Sequence, residues 1–187
     1  MTAIQPQTST GAAADAPADA RRLRWATTFF ALAVLFHNGD HARRGADSVS
    51  DDLFWVGLAG ILVEVGLVVL VFMRHRWAPL AAASLGFGLA FAYVMVHALP
   101  ERGWLSDPLL ESGAETVSRV AATLLILAAL GVGATGTAVI RRRGGLAAAI
   151  VPDGPPESLA HTLTNPVVAA MVAGNAVVVT TSLVGYL

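Results

Sequence analysis

The stretch FHNGDHARRG occupies residues 36 to 45, at the end of the first apolar segment of the chain. It is either a loop that ends a membrane helix or a polar segment inside that helix. From Arg24 to Phe36 the apolar run would rise only about 20 Å as an α-helix, well short of a ~30 Å hydrocarbon core. A helix that continues to Arg44 has the required length, because arginine side chains at its end can extend to the membrane surface. The sequence therefore predicts a helical span over 24–44 that carries this polar stretch in its outer part.

The composition is that of an integral membrane protein. Of 187 residues, 55% are hydrophobic and only 13% are charged, which is too apolar for an ordinary soluble domain. There are no cysteines, so disulfides, thiolate metal sites, iron–sulfur clusters and cysteine nucleophiles are excluded. The 12 basic residues are all arginines and do not form the polybasic surface typical of nucleic-acid binding. The expected partner is therefore the lipid bilayer, and no nucleic acid is expected.

Apolar stretches recur along the chain at the length of membrane helices, close to the ~20 residues that cross a bilayer core. The predicted spans are 24–44, 53–73, 78–99, 117–140 and 167–187. Residues 1–22, which contain few apolar clusters, are predicted to be a disordered cytoplasmic tail, and the proline-containing segment 141–165 a cytoplasmic linker. The predicted fold class is an all-α, polytopic membrane bundle over 23–187, with a four-helix core plus a C-terminal span.

The arginines are unevenly distributed between the two ends of these spans. With the N-terminus inside, eight of them lie on the cytoplasmic side and three lie outside. Basic residues near span ends are retained in the cytoplasm, and the inverted topology would reverse the observed bias. We therefore predict a multi-pass protein of the cell membrane with a cytoplasmic N-terminus and an external C-terminus.

Small residues recur at spacings of three or four along the spans, and such positions let helix backbones approach closely in lipid. They are Gly57, Gly60, Ala82, Gly86, Ala90, Gly131, Thr135 and Gly174. The fourth span also contains the pattern G-x-G-x-x-G at Gly131, Gly133 and Gly136. A dinucleotide-binding turn would need alternating strands and helices, which the rest of the chain does not supply. These glycines are therefore predicted to be packing contacts, and no nucleotide site is expected.

A helix over 24–44 places His37, Asp40 and His41 on one face, because residues three and four apart are neighbours on a helix surface. Exposing that face to lipid would be costly, so it is expected to point into the bundle. The polar stretch therefore needs partners on other helices.

The outer half of the bundle receives polar side chains from the other spans as well. Glu64 lies near the middle of the second span, where an unpaired acid costs about 2.5 kcal/mol or more on insertion scales. The others lie at the outer ends of the third and fourth spans and in the loop between them. These are His97, Glu101, Asp107, Glu115 and Arg119.

Histidines together with carboxylates are the ligand set of zinc, iron, manganese or copper(II), and paired histidines can also hold a haem. We predict a site for a transition metal or a haem, with three histidines as ligands and three carboxylates as ligands or supporting groups. Its residues are His37, His41, His97, Asp40, Glu64 and Glu101. Asp107, in the outer loop, is predicted either to cap a turn or to coordinate from above this pocket. In the alternative without a metal, His41, Asp40 and Arg119 satisfy one another as interhelical hydrogen bonds and ion pairs.

Two further functions are compatible with the same polar cluster. In the first, it is a proton-linked transport pathway in which Glu64 is the titrating carrier, although five spans do not divide into the inverted repeats common in transporters. In the second, the chain is an accessory subunit whose polar interior only associates helices and whose partner is another membrane protein. No named catalytic signature is present, so an enzymatic role would require a bound metal with an open coordination position.

Overall fold

The computed structural model describes residues 10–45, 48–100, 103, 105–109, 113–151 and 155–186 of the chain, and no strand occurs in these ranges. Seven α-helices follow one another, and the third continues into one π-helical turn, Val94–Ala98. They are α1 Thr10–Arg44, α2 Asp51–Phe72, α3 Ala78–Tyr93, α4 Thr116–Arg142, α5 Leu146–Ala149, α6 Leu159–Leu163 and α7 Pro166–Tyr186. The predicted all-helical class is confirmed for this part of the chain.

Helix α1 passes through the polar stretch without interruption and ends at Arg44, as the length argument predicts. It also begins earlier than expected. Residues from Thr10 to 22 are helical, although they were predicted to belong to a disordered tail; residues 1–9 lie outside the described ranges. A tertiary contact accounts for part of the difference, because Asp19 is buried and its carboxylate accepts a hydrogen bond of 2.8 Å from Nε of Arg142 in α4.

Four helices of the described chain are long and apolar enough to cross a membrane: Asp51–Phe72, Ala78–Ala98, Thr116–Arg142 and Pro166–Gly185. They correspond to the second to fifth predicted spans. Helix α1 is not among them, because its polar outer part and its arginines lower its mean hydropathy. The first predicted span therefore remains a prediction, as does the orientation of the termini.

Helix α4 is the centre of the bundle and packs against α1 and α3. Its contact with α3 is close because glycines face each other. A Cβ atom built at Gly86 would lie 2.7 Å from Cα of Gly133, and one at Gly136 would lie 2.7 Å from the carbonyl oxygen of Pro79. Side chains are thus sterically excluded at Gly86 and Gly136, and the prediction of packing glycines is confirmed there.

Three other glycines do not have the predicted role. A Cβ atom at Gly57, Gly60 or Gly131 would meet no atom within 4 Å, so these positions do not bring helices of this chain together. Thr135 is half-buried and donates its hydroxyl to the carbonyl of Gly131 one turn earlier. Small-residue spacing alone does not say which face of a helix is in contact, and the prediction for these positions was wrong.

The segment between α4 and α7 contains the short helices α5 and α6 and returns the chain to the bundle. Glu157 fixes its position, since its backbone N–H donates to the carbonyl of Met73 after α2. Asn165 then caps α7 by accepting a hydrogen bond of 3.0 Å from the N–H of Val167, and Pro166 begins the helix. This start of the last helix is as predicted from the Asn-Pro pair.

Candidate metal centre

Three histidines from two helices meet inside the bundle. His37 and His41 lie one turn apart on α1, and His97 lies in the π-helical turn after α3. One ring nitrogen of each lies within 4.8 Å of those of the other two, and Nε2 of His41 is 3.1 Å from Nε2 of His37. His37 and His97 are buried and His41 is partly buried. These are the three histidines that the sequence predicts as metal ligands.

The π-helical turn Val94–Ala98 places His97 opposite α1. Its wider hydrogen-bonding pattern includes the N–H of Leu99, which donates to the carbonyl of Val94 five residues earlier. The loop that follows folds back on this turn, because the N–H of Asp107 donates to the carbonyl of Val96 at 3.0 Å. Single π-helical turns are frequent at functional sites. Hydropathy alone did not predict this turn, since its residues continue the apolar third span.

The hydrogen bonds define which ring nitrogens carry protons when the histidines are neutral. Arg44 has only donors, so its Nη2 donates to Nδ1 of His41 at 2.9 Å and leaves the proton of that ring on Nε2. This Nε2–H then donates to Nε2 of His37. The proton of His37 therefore lies on Nδ1, a buried atom for which the described residues provide no hydrogen-bond partner.

His97 has the same tautomer as His37 and the opposite one to His41, since the backbone carbonyl of Asp107, 3.0 Å from Nδ1 of His97, can only accept a hydrogen bond. Its Nδ1 therefore carries the proton and its Nε2 keeps a free lone pair. A backbone carbonyl on the second ring nitrogen is the usual way in which proteins orient a metal-binding histidine. The carboxylate of Asp107 lies nearby, with Oδ2 3.9 Å from Nε2 of His41 and 3.8 Å from Nδ1 of His97.

Arg44 holds that carboxylate. Its two terminal nitrogens bind the two oxygens of Asp107 at 3.3 and 2.7 Å, and its Nε lies 3.3 Å from Oδ2 of Asp40. The sequence interpretation had this arginine extending to the membrane surface, but its side chain is only 15% exposed and turns inward. The structure thus adds Arg44 to the site and places Asp107 beside the histidines, near enough for the predicted coordinating role to remain a prediction.

Asp40 is buried, but it lies beside the histidine group rather than within it. Arg43 donates to its Oδ1 from Nε at 3.0 Å and from Nη2 at 2.8 Å, and the same guanidinium reaches Glu115 at 2.8 Å. The alternative in which Asp40 pairs with Arg119 is not what the structure contains. Nε of Arg119 is buried and has no hydrogen-bond partner within the described ranges.

Glu64 belongs to a second polar group next to the histidines. Its carboxylate accepts a short hydrogen bond from the hydroxyl of Tyr93 and one of 3.4 Å from the amide of Asn38. Asn38 also donates to Oδ1 of Asn175 in α7 at 2.8 Å. The buried acid is thus partnered, as its cost in a membrane requires. Sequence reasoning missed Asn38 and Tyr93, although both lie next to or one turn from a predicted ligand.

A cavity of about 190 Å³ connects the two groups, and its lining includes all three histidines, Asn38, Glu64 and Tyr93. Asp40 and Glu64 lie outside the group of residues that could share one ion, within the part of the chain that was described. Glu101, predicted to support the ligands, lies outside the described residues. Of the predicted ligands that the structure describes, the three histidines form the group that could share one ion, and the role of Glu101 stays a prediction.

Fold and site together define a class: a helical protein with four helices suited to crossing a membrane and a buried histidine triad that could hold a metal ion. Comparisons with family models, with curated proteins and with solved structures found no match.

Proposed function

We propose that this protein binds one divalent first-row transition metal ion through His37, His41 and His97. The observation that carries the proposal is the convergence of three imidazoles, two of them fully buried, with one nitrogen of each within 4.8 Å of the others. Buried polar atoms need hydrogen-bond partners, and Nδ1 of His37 has none among the described residues. A metal ion would use a lone pair from each ring once the proton of His41 had moved from Nε2 to Nδ1.

The distances suit such an ion after a small contraction. With a bond length of about 2.0 Å, two nitrogens on a tetrahedral zinc ion are roughly 3.3 Å apart. His37 and His41 are already at 3.1 Å, so the movement needed is mainly that of His97 toward α1. Imidazole suits zinc, copper, iron and nickel, and among the divalent ions copper(II) and then zinc bind nitrogen sites tightly. We therefore expect zinc or copper(II) to bind best.

Three neutral histidines leave a fourth position on a tetrahedral ion. Asp107 is the nearest candidate for it, because its Oδ2 lies within 4 Å of both His41 and His97. A water molecule is the other candidate, and it would give the open position typical of zinc sites with catalytic roles. A haem fits less well, since a cavity of about 190 Å³ is smaller than the ~300–1,000 Å³ typical of sites for small molecules and cofactors.

Metal titration of the purified, metal-free full chain tests the proposal. We expect one zinc ion per chain by isothermal titration calorimetry, and Co²⁺ in its place to give the visible absorption of a low-coordinate ion. His37→Ala and His97→Ala should weaken binding by more than the 10–100-fold that follows from losing a residue that only supports a ligand. His75→Ala and His161→Ala remove histidines outside the group and serve as matched controls. Equal affinity in the ligand and control variants would end the proposal.

A second candidate function is metal transport coupled to a proton, with Glu64 as the group that titrates. It is favoured by the position of Glu64 in the cavity that also contains the histidine triad. In liposomes that contain the protein, zinc uptake measures the metal and a pH-sensitive dye inside the liposomes measures the protons. Glu64→Gln keeps the size of the side chain; its amide oxygen can still accept from Asn38 and its N–H can donate to the hydroxyl oxygen of Tyr93. Because an amide does not titrate, this variant should abolish proton movement while leaving zinc binding at the triad intact. Binding without any flux in the unaltered protein would rule out transport and leave the binding proposal unaffected.

A further inference from the structure

A second cavity, of about 840 Å³, opens at the opposite end of the bundle and is independent of the histidine triad. It lies between the first part of α1, the end of α2, the start of α3, the end of α4 and the linker before α7. Arg24, which lies in the wall of this cavity, is 13 residues before His37 on α1. At the rise of an α-helix the two residues are about 20 Å apart along the helix axis. The two cavities can therefore be perturbed separately.

The charge of this second cavity is strongly positive. Among the described residues, its wall contains five arginines and one histidine and a single acidic residue. The positive residues are Arg21, Arg24, Arg74, His75, Arg76 and Arg143. The single acid, Asp19, is already bound to Arg142 at 2.8 Å and lies 3.4 Å from Arg22, so it is committed to arginines outside the wall.

Within the described residues, two of these arginines, Arg24 and Arg74, have a carboxylate partner. Glu157 accepts from Arg24 at 2.8 Å and lies 3.2 Å from Nε of Arg74. Nε of Arg24 is buried without a hydrogen-bond partner in the described chain. Neither Arg21 nor Arg76 forms an ion pair with a described residue, and Arg76 instead lies 5.6 Å from the ring centroid of Trp77. The guanidinium groups of Arg21 and Arg76 are therefore the wall donors that no described carboxylate pairs with, and they are available to an anion.

The remaining wall is apolar. Leu23, Phe72 and Pro79 face the same space, and Trp25, in the first helix, lies at its edge. Tryptophan next to arginines is typical of the level of lipid headgroups in a bilayer. Basic pockets between membrane helices at the cytoplasmic surface bind phosphate-bearing headgroups, and arginine forks match phosphate oxygens in pairs. The uneven distribution of arginines predicts that this end of the bundle is the cytoplasmic one.

From this combination we propose that the cavity is a binding site for a phosphate group, with Arg21, Arg24 and Arg76 as its donors. The apolar wall favours a phosphate that carries acyl chains, as in an anionic phospholipid of the adjoining leaflet. A soluble phosphate uses the same donors and leaves the apolar wall unoccupied. The two sources differ in whether the acyl chains contribute to binding, and this difference can be measured.

Binding to the full chain in a neutral detergent separates the sources. The probes are dioleoylphosphatidylglycerol, dioleoylphosphatidylcholine and inorganic phosphate against chloride at equal ionic strength, with native mass spectrometry and the thermal midpoint of unfolding as readouts. Retention of phosphatidylglycerol in preference to phosphatidylcholine supports the site with lipid as its ligand. A stabilisation by inorganic phosphate without lipid preference supports the site with a soluble phosphate. The absence of both effects overturns the proposal.

A pair of double variants then localises the effect. Arg21→Gln with Arg76→Gln removes two wall arginines that form no ion pair with described residues, so the fold should be retained. Each arginine near an anionic headgroup contributes about fivefold in affinity, which gives roughly a 25-fold loss for the pair. Arg22→Gln with Arg141→Gln removes two arginines from the same end but outside the wall, and a loss below about twofold is expected. Equal losses of affinity in the two double variants would show a general surface-charge effect and overturn the proposed site. If a double variant does not fold, the single variants repeat the test.

Discussion

Arg44 occupies a position from which a cation opposes metal binding at the histidine triad. Its Nη2 donates to Nδ1 of His41, so the proton of that ring lies on Nε2, the nitrogen that faces His37. A metal ion at Nε2 of His41 would require the proton to move to Nδ1, where it would meet an N–H of the guanidinium. We therefore predict that Arg44→Gln binds the metal more tightly than the unaltered protein.

The magnitude follows from the geometry. Adding the 2.9 Å from Nη2 to Nδ1, the width of an imidazole ring and a metal–nitrogen bond of about 2.0 Å places the ion roughly 7 Å from the guanidinium. Repulsion between a single and a double positive charge at that distance is about 1.2 kcal/mol in a medium with the dielectric constant of water, and several times more in a protein interior. We use the lower value because Asp40 and Asp107 neutralise much of the arginine charge. Removing this repulsion of about 1.2 kcal/mol by the Arg44→Gln substitution tightens metal binding about eightfold.

Glutamine adds a second effect of the same sign. Its side-chain oxygen can accept a hydrogen bond from Nδ1 of His41, which favours the tautomer that a metal needs. A hydrogen bond gained in this way is worth about 1 kcal/mol. The substitution also releases Asp107, whose Oδ2 is already 3.9 Å from Nε2 of His41. All three consequences increase affinity, so eightfold is the smallest gain expected.

Competition with a chromophoric chelator measures the dissociation constant of zinc for each variant. The matched control is Arg43→Gln, because Arg43 is the adjacent arginine, binds Asp40 and Glu115, and has a side chain that is 46% exposed. Its charge is screened by solvent, so a change below about twofold is expected. Unchanged or weaker zinc binding by Arg44→Gln, in a protein whose helix content and thermal unfolding are normal, would refute the reasoning.

Three further outcomes are expected for binding and stability. Zinc affinity should fall when the pH is lowered far enough to protonate the rings, because protons compete with the metal for the same ring nitrogens. Calorimetry in buffers of different ionisation enthalpy should detect released protons only in that acidic range, since neutral rings have no proton to lose at the metal-binding nitrogen. Gly86→Ala should lower the free energy of unfolding by about 1–3 kcal/mol, since the added Cβ would lie 2.7 Å from Cα of Gly133. The control Gly57→Ala, whose Cβ would meet nothing within 4 Å, should not destabilise the protein. Equal thermal midpoints of the two variants would contradict the close packing. Tyr93→Phe should cost about 1–3 kcal/mol because Glu64 loses a buried hydrogen-bond donor, and a neutral result in chemical denaturation would mean that the carboxyl group is satisfied without it.

The location of the polar stretch was predictable because it depended only on lengths. A helix that stopped at Phe36 would be too short to cross a bilayer, and α1 does continue to Arg44. The side of the helix was predictable as well, because residues 37, 40 and 41 share one face at helical spacing and His37 and Asp40 are buried. Periodicity is a property of one helix, so a single sequence is enough to derive it.

The pairing of side chains between elements was not predictable in the same way. The alternative without a metal paired Asp40 with Arg119, but Asp40 binds Arg43 and Arg44 of its own helix, because arginines three and four residues later on a helix lie on the same face. The π-helical turn that carries His97 has no signal in hydropathy. The prediction of which small residues pack between helices was only partly correct. Gly86 faces α4 and Gly136 faces α3, whereas Gly131 faces outward. Each of these details depends on the rotation and register of two helices relative to each other.

The internal hydrogen bonds of the triad bear directly on how a metal ion would be admitted. Without a metal, His41 is satisfied on both nitrogens, by Arg44 and by His37, while His97 is oriented by the carbonyl of Asp107. His37 alone keeps a buried N–H without a partner in the described chain. Binding at all three rings must therefore displace a proton from Nε2 of His41 and disrupt the bond from Arg44, while His37 and His97 need no change of tautomer. His37 and His97 would therefore hold an ion with the lone pairs they already present, and His41 would join them only if its proton moved from Nε2 to Nδ1 and the hydrogen bond from Arg44 to that nitrogen were broken.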